Sequence, residues 1–591
     1  MPISINQGRD RLLSEFGKKT LEDRYLLPGE SGPQEAFARA AMAFADDDEH
    51  AQRLYDYASR LWFMYSTPVL SNGGSARGLP ISCFLNFVPD SREGITEHYT
   101  ENAWLSSVGG GVGGSWSRVR SVGSKTSNGS ESTGVIPFLK VVDAEMLAFS
   151  QGVTRRGSYA AYLHMSHPEI EEFLDMRKPT GGDINRKSTN LHHAVVIPNS
   201  FMEIIQNATL TPGFDDSWPL IDPNSQQTKK IVSAKALWVK LIQNRVETGE
   251  PYIMFEDTVN EALPEFQKKL GLRVHHSNLC SEITLPTNEE RTAVCCLSSV
   301  NLEEFDEWKD HPHFIADVVR MLDNVLTYFI EHAPPQLARA KYSAMRERSI
   351  GLGGMGFHAY LQRHNIPLES AMAKSINMRM FGHIKAKALE ESRNLAVVRG
   401  PCPDGHAAGV RNAHLLAIAP NASSSIICGN TSPSIEPYRA NAFSQKTKSG
   451  TSLLKNEYLE FALEELGMNT DEVWKSIVTN NGSVQHLDFL DDYTKDVFKT
   501  AVEIDQRWIV ELAADRQQFI CQSQSLNLFF PANVSKQELH NIHMMAWKRG
   551  VKTLYYCRSE AIKRAEVVSD EKLREYIFDF NDENACLACE G

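Results

Sequence analysis

Between residues 190 and 390, short apolar runs such as AVVIP (194–198) alternate with longer helical patterns, among them AKALWVKLIQNRV (234–246) and FIADVVRMLDNVLTYFI (314–330). Parallel strands cannot be joined by a tight hairpin and need a crossover, usually a helix, so this alternation predicts an α/β fold with a parallel sheet and helices packed on it. At roughly 150 residues per domain, 591 residues would suggest about four domains. No repeat of 20 to 50 residues and no long linker divides the chain, which points to one integrated catalytic unit instead. Ahead of it, apolar residues recur every three or four positions from Gln34 to Met64, between Gly32-Pro33 and Pro68, and predict a helical region over 1–66. Beyond Thr67 come Gly/Ser/Asn-rich stretches at 71–78, 107–115 and 121–130, read as loops that serve ligands or tight turns. The pattern from 452 to 520 is again helical. Ser535 and Glu538 form a capping box opening a helix toward Lys548, Gly550 stops it, and VKTLYYC (551–557) reads as a strand. The last residues, FNDENACLACEG, are polar and aperiodic and read as a mobile tail.

Charge narrows the function classes. Lys plus Arg number 61 against 74 Asp plus Glu, a net of −13, which argues against non-specific coating of nucleic acid or anionic lipid. A phosphorylated small molecule is still possible, because backbone N–H groups and a few local cations can hold a phosphate inside an acidic protein. No apolar run approaches the ~20 residues that span a bilayer, and the N-terminus lacks a signal-peptide core, so the expected location is cytoplasmic. The ten cysteines are then expected to be reduced.

Four segments could carry chemistry. In NLCSEITLP (278–286), an extended backbone would project Asn278, Cys280 and Glu282 to one side, bringing together an amide, a thiol and a carboxylate. The thiol could be a nucleophile or hydrogen-atom carrier and the carboxylate a general base; a strand with a buried cysteine is the bland alternative. Cys586-Leu-Ala-Cys589 is either a redox dithiol or half a zinc site, and no second CxxC exists to complete the latter. A dithiol so near a flexible end could swing inward and reduce an internal disulfide by exchange. Tyr555 and Tyr556 in KTLYYCR could pass an electron and proton in turn, but in an ideal strand they face opposite sides, so a relay needs local distortion or a shared interface. In APNASSSIICGN, Ser423, Ser424 and Ser425 precede an apolar run that can open a helix, a setting suited to phosphate. The glycines at 109–114 lack both the GK[ST] ending of a P-loop and the GxGxxG spacing of a dinucleotide fold, which argues against a kinase, ATPase or nicotinamide enzyme.

Taken in order, Thr67-Pro68, Ser82-Cys83, SQGVTRRGS (150–158), NLCSE, CCLSSVN (295–301), PNASSS, TLYY and the terminal cysteine pair resemble the large catalytic subunit of ribonucleotide reductase from about residue 60 to the end. The resemblance implies a ten-stranded α/β barrel of two parallel halves, with a finger loop carrying a radical cysteine, over 67–575, followed by a redox-active tail at 576–591. It implies reduction of ribonucleoside diphosphates to their 2′-deoxy forms for DNA synthesis. Cys280 would be the transient thiyl radical, Glu282 the base for the 3′ hydroxyl, and Asn278 a hydrogen-bonding anchor for the sugar. Cys83 and Cys295 would be the internal dithiol, Cys295 being preferred to Cys296 because it leads the matching C-x-L-x-S-x-N pattern. Cys586 and Cys589 would restore that dithiol and be recharged by thioredoxin or glutaredoxin. Thr67, Ser82, Ser423 and Ser424 would hold the substrate diphosphate. Asp90 and Arg120 match positions that bind a nucleoside triphosphate effector, and Arg155 and Arg156 lie in the loop that would report its identity to the substrate base.

The tyrosine pair resembles class I enzymes, which receive the radical from a separate, metal-containing small subunit; no metal is then expected in this chain. Class II, with adenosylcobalamin bound here, is the competing reading, and a non-catalytic nucleotide-binding redox protein is a further one. Cys280, Glu282 and both dithiol cysteines are present, which disfavours the last. A glycyl-radical enzyme would carry an RVxGY-like C-terminal motif, which is missing, and a thioredoxin-like oxidoreductase would carry CxxC at a helix start rather than in a tail. Only 66 residues precede Thr67, so an ATP-cone and its overall-activity switch are not expected. A homodimer with the effector site at its interface is the family expectation.

Overall fold

A computed structural model describes residues 3–149, 157–178, 181–447 and 450–559. The helices Glu15–Arg24, Pro33–Phe44 and Asp48–Ser59 lead in, and strand β1 (Phe63–Tyr65) follows them. Next come β2 (Cys83–Phe87), β3 (Gly111–Ser115), β4 (Tyr159–His164) and β5 (His192–Ile197). β6 (Ser217–Ile221) and β7 (Thr228–Ser233) make a peripheral antiparallel hairpin. The sheet resumes with β8 (Tyr252–Phe255), β9 (Ala293–Asn301) and β10 (Ile350–Met355). β11 (Ala442–Thr447) and β12 (Gly450–Lys455) form a second hairpin, and β13 (Leu528–Phe530), β14 (Thr553–Leu554) and β15 (Cys557–Ser559) end the described chain.

β2, β3, β4, β5 and β8 run parallel side by side. Each connection between them contains at least one helix, as the alternating sequence requires: Ala234–Thr248, for example, leads into β8. β9 lies antiparallel to β2 at one margin and carries β10 parallel on its other side. At the opposite margin β14 runs antiparallel to β8. Single parallel bridges, Leu352 to Leu416 and Ile418 to Gln524, carry the pairing on from β10. Tyr555 N–H then donates to Leu526 O, so the strip curls round toward β14. Among the described residues the hydrogen-bonded sheet therefore counts nine strands, β1 included. The ten implied by the resemblance differ because the segments around 416–418 and 524 are joined by single bridges.

Period-two alternation sorts side chains into two cores. Cys83 and Leu85, Ala160 and Tyr162, Ala194 and Val196, Tyr252 and Met254, and Cys295 and Leu297 face the inside of the curl. Their neighbours Phe84, Val112, Leu163, Val195, Ile253 and Cys296 face outward into the helical layer. The N-terminal helices are tied to that layer by Asp317, a buried carboxylate on the helix Phe314–His332. It accepts from Arg53 Nε at 2.7 Å and Nη2 at 2.9 Å, and from Tyr57 Oη at 2.9 Å. Removing one such partner of a buried charge costs about 1.5–3 kcal/mol.

The glycine-rich stretch 107–115, expected as a loop, instead ends in β3. Its glycines serve close packing: a Cβ on Gly113 would collide with Ser277 O and the backbone of Asn278. That contact is what lets the next segment sit inside the sheet.

Candidate active site

Asn278 to Glu282 do not form a strand. Leu279 and Cys280 make a turn, and Ser281 adopts the left-handed region at φ 68°. From this turn Asn278 and Glu282 reach toward Cys83 Sγ, while Cys280 Sγ meets Tyr555 Oη. An extended run could not satisfy its polar groups among apolar barrel walls, whereas the turn is pinned on every side. Asn278 Oδ1 accepts from Ile283 N–H at 3.1 Å, and Tyr162 Oη donates to Asn278 O at 2.7 Å. Ser525 Oγ donates to Cys280 O at 2.6 Å, and Ser523 N–H to Glu282 O at 2.8 Å. Asn278, Cys280 and Glu282 are fully buried.

β2 and β9 bring Cys83 and Cys295 directly opposite one another. Asn278 Nδ2 lies 3.3 Å from Cys83 Sγ, which lies 3.8 Å from Glu282 Oε1. Ser525 Oγ donates to the other carboxylate oxygen at 3.1 Å. Gln522 Nε2 reaches Cys295 Sγ at 3.7 Å. Cys296, one residue on, points away and its Sγ lies 3.3 Å from Leu322 O in the outer layer. Alternation along β9 thus separates the two neighbouring thiols. Burial, with Cys296 and Cys83 close by, pushes the Cys295 thiol well above its ordinary value, so it rests as a neutral S–H.

The expected strand over 551–557 is broken at the two tyrosines. β14 pairs with β8 and β15 with β13, and the changeover at Tyr555-Tyr556 turns both rings into the inner core. This is the local distortion that a relay between adjacent residues needs. The ring centroids are 4.3 Å apart, and Tyr555 Oη donates to Cys280 Sγ at 3.3 Å. Sequence reasoning missed Tyr252, whose ring lies 4.7 Å from Tyr555 and 5.1 Å from Tyr556. It also missed Gln522 and Ser525. The available signal was QSQSLN itself, four consecutive polar residues (522–525) in a strand-like setting, all completely buried.

The remaining candidates divide by location. Thr67 opens the helix Thr67–Asn72, and its Oγ1 lies 2.9 Å from Tyr25 Oη. Ser423 and Ser424 lie buried in the helix Ala422–Ile427, and both helices pack against β1. Ser82 Oγ is buried with no hydrogen-bond partner among the described residues. Asp90 and Arg120 pair with each other, Arg120 Nε donating at 3.0 Å, and Asn224 Nδ2 adds a donor to Asp90 at 2.9 Å. Arg155, Arg156, Cys586 and Cys589 lie outside the described residues.

A second thiol environment escaped the sequence reading. Burial would raise the half-buried Cys521 thiol, but Lys385, the His414 ring and the N–H of Leu415 bring it well below its usual value. The N–H groups of Leu415 and Leu416 point at its Sγ from 3.1 and 3.3 Å. Iodoacetamide at pH 7 is therefore expected to alkylate Cys521 at least tenfold faster than Cys295, Cys296 or Cys428, whose thiols burial raises. Peptide mapping of a short labelling course reads this, and equal rates would contradict it.

Comparison with known proteins identifies the family. The family profile described as "Ribonucleotide reductase, barrel domain" matches residues 81–406 and 404–557, and "Ribonucleotide reductase, all-alpha domain" matches 11–78. The ribonucleoside-diphosphate reductase large subunit of Invertebrate iridescent virus 3 is 44% identical over the whole of both chains. That of Caenorhabditis elegans is 32% identical, covering 100% of this chain and 82% of the relative. The solved class Id ribonucleotide reductase alpha subunit of Actinobacillus ureae superposes with a TM-score of 0.81 at 35% identity, over 93% of this chain and 97% of that one. With a thiol, a carboxylate and a facing pair of cysteines gathered inside a curled α/β sheet, and with both profiles and full-length relatives agreeing, this chain belongs to the ribonucleotide reductase large-subunit family.

Proposed function

We propose that this chain reduces ribonucleoside diphosphates to 2′-deoxyribonucleoside diphosphates as a class I large subunit, receiving its radical from a separate small subunit. The observation that carries this reading is the continuous buried file from Tyr556 through Tyr555 to the sulfur of Cys280, with Glu282 and the Cys83–Cys295 pair beyond it. The small subunit's metal centre supplies a one-electron oxidant. Every later step belongs to residues of this chain. Cys280, as a thiyl, takes the hydrogen from C3′: an S–H bond forms as the C–H bond breaks. Glu282 accepts the proton of the 3′ hydroxyl while Asn278 holds the sugar. The 2′ hydroxyl leaves as water with a proton from the dithiol. Cys83 and Cys295 become a disulfide as they deliver two electrons to the sugar: one thiol hydrogen has gone into the leaving water, the other forms the new C2′–H bond, and Glu282 returns its proton to the 3′ oxygen. Cys280 then returns its hydrogen to C3′ and is a thiyl again, so substrate plus two thiols gives product, a disulfide and water.

Thr67, Ser82, Ser423 and Ser424 hold the diphosphate in this proposal, and the unpartnered buried hydroxyl of Ser82 supports it. Asp90 and Arg120 serve a nucleoside triphosphate effector, with Arg155 and Arg156 in the loop that reports on it. Trp104, Val141, Leu147 and Phe149, exposed on or beside the helices Arg92–Ser107 and Val135–Ala148, supply apolar surface for a homodimer. Cys586 and Cys589 regenerate the dithiol and are recharged by thioredoxin or glutaredoxin. The division into 1–66, 67–575 and 576–591 and a cytoplasmic location belong to the same proposal. Among the described residues no helix is long and apolar enough to cross a membrane.

One turnover without added reductant tests the dithiol. Incubation of the reduced Cys586→Ser/Cys589→Ser chain, whose tail cannot regenerate the dithiol, with small subunit and CDP is expected to yield about one dCDP per active centre, with Cys83 and Cys295 lost together from alkylatable peptides. Product formed while both thiols stay free would refute their role. Cys295→Ser is expected to stop dCDP formation from the first cycle without weakening CDP binding, whereas Cys296→Ser, whose side chain lies outside the barrel, retains turnover.

A further inference from the structure

Beside Tyr556 lies a buried charged cluster with no part in the steps above. Tyr556 Oη is 3.4 Å from His192 Nδ1, which is 2.6 Å from Glu250 Oε1. The other carboxylate oxygen accepts His193 N–H at 3.0 Å and lies 3.0 Å from His193 Nδ1. The Arg177 guanidinium closes on Oε1, and its Nη1 is 3.3 Å from His192 Nδ1. Glu250 and His193 are each 1% exposed and His192 is 7% exposed. Burial would raise the Glu250 carboxyl, but Arg177, His192 and His193 hold it well below the usual carboxylate value, so it is an anion. The shortest path from that anion to Tyr556 is through one imidazole nitrogen.

We propose that His192 and Glu250 together take up, and return, the phenol proton of Tyr556 each time the radical passes through that residue. This rests on the tyrosine relay proposed above. A phenol that loses an electron becomes strongly acidic and must give its proton to a base within reach. Of the groups that face this ring, Arg558, whose guanidinium carbon is 4.0 Å above it, and Arg177 already hold all their protons. Tyr252 and Tyr555 are phenols themselves, and burial together with Glu250 pushes the Tyr252 hydroxyl well above its usual range. Among the described groups that face the ring, the imidazole, backed by the carboxylate, is the one able to accept. As the electron leaves Tyr556 for the oxidant supplied by the small subunit, its O–H bond breaks and the proton passes to Nδ1. With the ring's own hydrogen on Nε2, the phenol proton fills the Nδ1 lone pair and stays there, hydrogen-bonded to Glu250 Oε1 2.6 Å away. The phenoxyl is neutral, and the imidazolium is paired with the carboxylate. When Tyr555 supplies an electron, the proton steps back to the phenol oxygen. Arg177 fixes the carboxylate so that Oε1, rather than some other rotamer, meets His192.

Two measurements on the full chain test this, and both must hold. The first needs no turnover: with 3-nitrotyrosine placed at 556, the nitrophenol is titrated by absorbance in the parent and with Glu250→Gln. Loss of the neighbouring anion is expected to raise the phenolate fraction at a given pH by about tenfold, and an unchanged titration overturns the proposal. The second is steady-state CDP reduction with the small subunit and His192→Asn, which keeps an N–H donor near the Nδ1 position but cannot take up a proton. The expected result is kcat at least tenfold lower, an altered pH profile, and an unchanged KM for CDP. Wild-type kcat and pH profile in His192→Asn overturn the proposal whatever the titration shows. Failure of the relay itself would register separately, as retained turnover in Tyr556→Phe.

Discussion

Cys280→Ser is expected to remove CDP reduction altogether, by at least about 10⁴-fold, while the chain folds and binds substrate as before. The side chains differ by one atom in a fully buried turn whose contacts are made by main-chain groups: Ser525 Oγ donates to residue 280 O, and Ser281 holds the left-handed conformation. Neither depends on sulfur. What sulfur supplies is an S–H bond weak enough to be broken by a phenoxyl at Tyr555, whose Oη lies 3.3 Å from Sγ, yet strong enough to be re-formed at the expense of the sugar C–H. A serine O–H is too strong to be broken by a phenoxyl. Radiolabelled CDP reduction reads the loss, and the substitution should leave the melting temperature within a few degrees, because the volume change is small. Turnover above about one per cent of the parent would mean that Cys280 is not the hydrogen carrier.

Much of this centre is legible in the sequence alone, for reasons specific to each residue. The order of crossover helices and strands follows from periodicity, and AVVIP, AKALWVKLIQNRV and FIADVVRMLDNVLTYFI fall in β5 and in the helices Ala234–Thr248 and Phe314–His332. The cysteine, glutamate and asparagine of NLCSE could be picked by chemistry, but not their arrangement. A turn with a left-handed serine is decided by Gly113, Tyr162 and Ser525, residues far away in sequence. The glycine-rich stretch was misread for the same reason: glycine before β3 and within it looks like a loop until the packed neighbour that excludes a Cβ is known. The break between β14 and β15 was foreseen only as a requirement, since strand switching is a property of two sheets and not of the YY dipeptide. The Glu250 cluster and Tyr252 were invisible because they are brought to Tyr556 by sheet neighbours from separate parts of the chain.

Tyr556→Phe is the second large effect. Deleting one oxygen leaves the ring in place against Tyr252, Tyr555 and Arg558, so the packing of the inner core should be preserved. The loss of one loose hydrogen bond, 3.4 Å to His192, costs no more than about 1 kcal/mol of stability. Function is another matter. A phenyl ring cannot be oxidised at a potential that oxidises a phenol, and without it the radical must cross from the protein surface to Tyr555 in a single step. Turnover with the small subunit is expected to fall by at least about 10³-fold, with KM for CDP unchanged, since the ring touches no proposed phosphate or sugar contact. Tyr555→Phe should do the same by cutting the link to Cys280. Full activity in Tyr556→Phe would move the radical source away from a partner subunit.

That is also where the account is most exposed, and one assay reaches it directly. The full chain, reduced with dithiothreitol so that no tail or thioredoxin is needed, is given CDP and an allosteric nucleoside triphosphate in three arms: with a candidate small subunit, with adenosylcobalamin, and with neither. The account predicts dCDP formation only in the first arm, abolished there by Cys280→Ser and by Tyr556→Phe. dCDP formed with adenosylcobalamin alone, or with no radical source added, would contradict it.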